Sequence, residues 1–175
     1  MNRQSHIILV TGGQRSGKSE NAERLALDLS PTPVYIATCT PMDEEMERRV
    51  EIHRKRREGQ GWTTIEAPDL DSVPPLPGAT VLIDSATMLA SNSFFAHRED
   101  DNAALAHLSA AFDAFTSRSD GATIIVVTDE IGLGGVSSNA LARRFTDLLG
   151  LFNRYLAEMA SDVYFSVSGI PVKIK

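Results

Sequence analysis

The apolar run HIILVT, residues 6–11, stops at a pair of glycines. A short run bounded this way reads as a strand, and SENAERLALDLS after the glycine-rich segment, with apolar positions three and four apart, reads as a helix. The unit then repeats. PVYIAT (33–38) predicts a second strand, and DEEMERRVEIHRKRR (43–57) a helix with acids in its first turn and bases in its last, the order that suits a helix dipole. WTTIEA adds a short strand, and the proline-rich PDLDSVPPLPGA reads as a surface connection. TVLID (80–84) is the next strand. SATMLASNSFFAH and NAALAHLSAAFDAFTSR are helical, the latter set off by REDD and SDG. ATIIVVT is almost wholly apolar, the mark of a strand covered on both faces. Between Ser138 and Ala160, the residues Leu141, Phe145, Leu148, Phe152, Leu156 and Met159 form one apolar helical face, and DVYFSVSG closes as a strand.

Strands alternating with helices imply right-handed crossovers, hence an α/β domain of three layers around a mainly parallel sheet. At 175 residues one such domain, spanning 1–175, is expected. The hydrophobic share of 42% and charged share of 23% exclude a disordered or fibrous chain. One cysteine, Cys39, rules out an internal disulfide and favours a reducing cytoplasm. HIILV is too short for a membrane span or a secretory leader.

Between the first strand and helix, GGQRSGKS satisfies G-x-x-x-x-G-K-[ST] through Gly12, Gly17, Lys18 and Ser19. Glycines let the backbone wrap phosphates, and amides at the helix start donate to anionic oxygens. Lys18 neutralises the β/γ region, and Ser19 can ligate Mg²⁺. The fold class is therefore a P-loop (RecA-like) domain. Asp84 ends a strand where the sheet edge faces the ligand crevice, so it is a candidate for Mg²⁺; it could equally cap the next helix, and Asp129 and Glu130 end another strand. DEIG fits the D-x-x-G of GTPase switches, but no N-K-x-D accompanies it.

Charge changes the picture at RRVEIHRKRR, residues 48–57. The chain carries a formal net charge of −6, which argues against nucleic acid as a partner, yet six bases gather here around His53. Met46, Val50 and His53 share a helical stripe, so a buried core histidine is one reading. Arg49 and Arg57, four residues to either side of His53, give the other: a helix that contacts phosphate, with guanidiniums that favour a neutral imidazole.

The ordered set ILVTGGQRSGKSENAE, VYIAT, DEEMERRVEIHRKRR, WTTIEAP, LIDSATMLASN, VVTDEIGLGGV and the closing VSGIPVKIK resembles the bifunctional adenosylcobinamide kinase / adenosylcobinamide-phosphate guanylyltransferase family of cobalamin biosynthesis. The resemblance implies phosphorylation of the aminopropanol hydroxyl of adenosylcobinamide with ATP or GTP. Transfer of GMP from GTP to that phosphate follows, through a histidine–GMP intermediate. It assigns His53 as that histidine and Lys18 as the other catalytic residue. It also implies nucleotide contacts at Gly12, Gly13, Gln14, Arg15, Ser16, Gly17, Lys18, Ser19, Ala37, Thr38, Cys39, Arg54, Lys55, Arg56, Arg57, Glu66 and Asp84, with Mg²⁺ at Ser19 and Asp84, and a cytoplasmic homotrimer. A single-function P-loop kinase and a nucleotide-binding regulatory module are the alternatives.

Overall fold

A computed structural model describes residues 5–41 and 43–175; within the second helix, the side chain of Arg49 lies outside that description, and with it the expected flanking of His53 from that side. Seven strands form one sheet in the order β3-β2-β4-β5-β1-β6-β7. They are β1 (His6–Gly12), β2 (Val34–Ala37), β3 (Thr63–Glu66), β4 (Thr80–Asp84), β5 (Thr123–Asp129), β6 (Asp162–Val167) and β7 (Ile170–Lys173). The first six are mutually parallel. Only β7 is antiparallel, folded back on β6 so that Val167 pairs with Ile170.

The helices are α1 (Lys18–Leu29), α2 (Glu44–Arg57), α3 (Ala86–Ala96), α4 (Asp101–Arg118) and α5 (Ala140–Met159). Because side chains alternate along a strand, each strand feeds two cores. Ile7, Leu9, Ile83, Ile124 and Val126 point to the face covered by α3, α4 and α5, where Phe94, Phe112, Phe115 and Phe152 fill the interior. Ile8, Val10, Leu82, Ile125 and Val127 point to the other face, under Ala22 and Ala26 of α1. These small alanines let α1 lie close to the sheet.

The expected architecture is thus present, with three differences. The closing segment makes a hairpin rather than one strand, and β7 is exposed on both faces. Leu141 and Met159, at the two ends of the predicted α5 face, are 38% and 41% exposed. The proline-rich connection reaches the interior: Leu70 and Val73 are buried, and Arg118 donates to both their carbonyl oxygens.

Candidate functional site

β1 and β5 are hydrogen-bonded neighbours, with Gly12 opposite Asp129, and this register places the loop after β1 beside the end of β5. The loop is tight. A Cβ on Gly12 would stand 2.5 Å from Ser16 Oγ and 2.6 Å from the Ser166 carbonyl oxygen, so no larger residue fits. Gly17 begins α1 with φ of 84° and offers no side-chain cap, which leaves the first-turn N–H groups of α1 for an anion. The Ser168–Gly169 turn supports the loop from below: Gly169 N–H donates to the Ser16 carbonyl oxygen at 2.8 Å, and Asn21 Nδ2 donates to Ser166 Oγ and the Gly169 carbonyl oxygen.

Lys18 Nζ bonds the Gly13 carbonyl oxygen at 3.1 Å and lies 2.6 Å from Asp129 Oδ1. A cavity of about 310 Å³ is lined here by Gln14, Arg15, Ser16, Gly17, Lys18, Ser19, Glu20, His53 and Asp129. A second, of about 440 Å³, shares Lys18, Ser19, His53 and Asp129, and adds Tyr35, Ala37, Cys39, Met46, Val50, Arg57, Glu66, Asp84 and Met88. The predicted stripe Met46–Val50–His53 therefore faces a cavity rather than the core.

Asp84 Oδ2 accepts a 2.9 Å bond from the Tyr35 hydroxyl. Burial raises its carboxyl pKa above the usual aspartate range, against the opposing pull of Tyr35, His53 and the Ser19 hydroxyl. It does not cap α3; Ser85 does, accepting from the Met88 N–H. The Ser19 hydroxyl and a desolvated carboxylate are hard oxygen donors that suit Mg²⁺, and burial makes a cation welcome. No cluster of three or more His, Cys, Asp or Glu arranged for a metal occurs among the described residues, so most of such an ion's shell would come from phosphate and water.

The basic run divides. Arg54 and Lys55 are exposed and line neither cavity; Lys55 pairs with Glu51. Arg56 reaches α1 and binds Glu20 at 2.6 Å. Arg57 is buried, its guanidinium 3.4 Å from the Tyr35 ring centroid and 3.5 Å from Glu23 Oε1. Thr38 is also inside, with its hydroxyl tied to Ser85. The Cys39 thiol, lining the second cavity, has its pKa raised by burial and by Asp84.

His53 Nδ1 lies 3.8 Å from Glu23 Oε1, too far for a hydrogen bond but within reach of charge attraction. The Glu23 carboxylate raises the imidazole pKa above its usual value; burial opposes this and Asp84 adds to it. The expectation that flanking guanidiniums favour the neutral ring is therefore corrected, because the largest influence on the ring comes from an acid, Glu23, and outweighs the opposing Arg56. Sequence reasoning missed Glu23 and Tyr35. Glu23 is hidden in an ordinary amphipathic helix; the apolar flanks of Tyr35 marked a strand but gave no sign of its hydroxyl's partner.

A glycine-rich loop shaped to take an anion at the edge of a parallel sheet, with lysine, serine and two carboxylates around it, defines a P-loop protein. Within that class, a family model described as cobinamide kinase / cobinamide phosphate guanyltransferase matches residues 8–174. The bifunctional adenosylcobalamin biosynthesis protein CobU of Escherichia coli is 37% identical over 187 residues, covering 97% of this chain and 99% of the relative. The protein of the same name from Salmonella typhimurium is 37% identical over 183 residues, with the same coverage. CobP of Pseudomonas aeruginosa is 37% identical over 172 residues, covering 95% and 96%. The chain belongs to the cobinamide kinase / cobinamide phosphate guanyltransferase family and is an enzyme of that bifunctional kind.

Proposed function

We propose that one P-loop domain, residues 1–175, phosphorylates the aminopropanol hydroxyl of adenosylcobinamide and then transfers GMP from GTP onto that phosphate through a covalent adduct on His53. The observation that carries this reading is that Lys18, Ser19, His53 and Asp129 line both adjoining cavities. A triphosphate in the first therefore meets His53 on one side and an acceptor in the second on the other.

In the kinase step, Lys18 and the α1 amides hold the ATP or GTP phosphates and offset the charge that develops on them. The substrate hydroxyl attacks the γ-phosphorus, and the bond to the β-phosphate oxygen breaks. Ser19 and Asp84 are the residues that would hold Mg²⁺, which supplies charge neutralisation on the phosphates. In the second reaction His53 attacks the α-phosphorus of GTP and pyrophosphate leaves. The phosphate made in the first step then attacks the adduct, and the nitrogen–phosphorus bond breaks. Glu66, at the wall of the second cavity, is suited to accept from hydroxyl or N–H groups of whatever binds there.

A cytoplasmic setting accords with nucleotide substrates and the reduced cysteine. A homotrimer fits the apolar side chains left open on Ile170, Val172, Leu133 and Val136; light scattering in solution tests it. A kinase-only enzyme or a regulatory module lacks the second activity that the family description names. Incubation with α-labelled GTP tests the central reading: the label should stay on the protein in base and leave in acid, as a phosphoramidate does. An unlabelled protein that nevertheless makes the GDP-linked product would overturn it.

A further inference from the structure

Glu23 belongs to no part of the phosphate motif, yet it is 8% exposed on α1 and faces the helix that carries His53. A buried carboxylate needs partners. Its Oε1 has two, Arg57 Nη1 at 3.5 Å and His53 Nδ1 at 3.8 Å, and both come from α2. Four residues earlier than Arg57, His53 stands one turn back on the same face, so a single carboxylate spans both.

The imidazole has an open requirement of its own. His53 Nδ1 is buried without a hydrogen-bond partner, and Arg57 Nε is in the same condition. A buried ring nitrogen left this way signals a bond still to be made. The only carboxylate within ion-pair distance of it among the described residues is Glu23. A closure of about 1 Å would bring the pair to hydrogen-bonding distance. The two helices are already tied at their rims by Arg56 and Glu20 at 2.6 Å, so such a closure is a small adjustment of a docked helix.

We infer that Glu23 is the positioning residue of the guanylyl-transfer step: it holds the proton of His53 on Nδ1, so that Nε2 carries the lone pair that attacks phosphorus. This rests on the proposed role of His53 as nucleophile. When Nε2 attacks the α-phosphorus of GTP, a nitrogen–phosphorus bond forms and the bond to pyrophosphate oxygen breaks, its electron pair leaving with pyrophosphate. The proton stays on Nδ1, and the ring becomes positive. Glu23 is the counter-charge for that ring, as the carboxylate of a Ser-His-Asp triad is for its imidazolium. When the acceptor phosphate attacks in turn, the electrons of the nitrogen–phosphorus bond return to Nε2 and the ring is neutral again.

The surrounding charges agree with this assignment. Facing His53 are Glu23 and Glu20 from α1, Lys18 at the loop, Asp84 from β4 and Asp129 from β5, with Arg56 and Arg57 on its own helix. Of these, Glu23 raises the ring's pKa most. An uncharged residue at position 23 would therefore let His53 deprotonate at lower pH while removing the stabilisation of the charged adduct.

Single-turnover labelling with α-labelled GTP across pH 5–9 tests this in Glu23→Gln and Glu23→Asp, with His53→Ala beside them and a thermal melt to report folding. We expect Glu23→Gln to form adduct at least tenfold more slowly at pH 8, with the acid limb of its rate profile displaced to lower pH. Glu23→Asp should keep the charge and fall between the two. If Glu23→Gln does not fold, Glu23→Asp and the proton NMR titration of His53 in that variant carry the same comparison. An adduct formed at the parent rate with an unmoved acid limb overturns the role of Glu23. Adduct surviving in His53→Ala overturns the nucleophile reading instead, so the two failures are distinct.

Discussion

Lys18 Nζ stands 2.6 Å from Asp129 Oδ1, so the lysine that an incoming triphosphate requires is already held by a carboxylate. The backbone that bears this carboxylate is anchored: the Asp129 main-chain N–H donates to Thr87 Oγ1 at 2.8 Å, and the Asp129 main-chain carbonyl oxygen accepts from Asn153 Nδ2 at 3.0 Å. A triphosphate bound as proposed would compete with this carboxylate for Lys18. Lys18→Ala should lower kinase turnover at least a hundredfold, because the charge developing on the phosphates loses its nearest cation. Asp129→Asn should tighten nucleotide binding a few-fold at low salt, measured by titration calorimetry. Weaker binding in Asp129→Asn would mean that this carboxylate serves the metal rather than restraining the lysine.

Asp84 couples stability to function with opposite signs. Burial raises its folded pKa, so its favourable contribution is complete below the unfolded aspartate pKa and is lost as pH rises through the folded value. Asp84→Asn keeps an acceptor for the Tyr35 hydroxyl and removes the desolvated charge. At pH 7 the variant should melt about 2–4 °C higher for each ~1 kcal/mol of relieved desolvation, and the difference should vanish near pH 3. Activity should meanwhile need more Mg²⁺. A variant that melts lower at pH 7 would show that the charged form is the stabilising one.

Arg57 was expected on phosphate but lies between Tyr35 and Glu23. Arg57→Ala breaks a buried ion pair and exposes the aromatic face, and should lower stability by about 2–3 kcal/mol. The readout is chemical denaturation. A variant that keeps its midpoint while its KM for GTP rises tenfold would show that Arg57, which also lines the second cavity, serves phosphate instead.

Gly17 and Gly169 meet back to back: a Cβ on Gly17 would stand 2.9 Å from Gly169 Cα, and Gly17 has a positive φ. Gly17→Ala should cost about 1–2 kcal/mol in backbone strain alone and displace the loop from its support. Nucleotide affinity should fall at least tenfold, with the melt lowered by several degrees. Unchanged affinity would mean that the hairpin is not a support for the loop.

These sites differ in how far the sequence announced them. The loop from Gly12 to Ser19 was legible because its chemistry is contiguous, and the strand and helix around it follow from periods of two and three to four. The basic run was visible as charge, but its division was not. Whether Arg57 turns inward depends on Tyr35 and Glu23, which are 22 and 34 residues away and meet it only once α2 is docked. Strand β7 escaped notice because IPVK is short and contains Pro171, which an edge strand tolerates and an interior one does not. The Ser-Gly pair before it was the available sign of a hairpin.

His53 gives the sharpest test. Its ring lines both cavities and its pKa is raised by Glu23, so at a given pH more of it is protonated than in free imidazole. Attack on phosphorus needs the neutral form. The rate of GMP-adduct formation should therefore rise with pH through a value above the usual imidazole pKa of about 6.5, then level off. The stability contribution runs the other way: a raised folded pKa stabilises the protein fully below the unfolded value and ceases to do so as pH rises through the folded one. Parent and His53→Asn proteins should thus differ in melting temperature at pH 5.5 and converge by pH 9, while the adduct is absent from His53→Asn at every pH. Label found on His97 or His107 in that variant would remove His53 from the reaction. An adduct rate that falls with rising pH would instead mean that the protonated ring acts, as an electrostatic partner to phosphate rather than as its nucleophile.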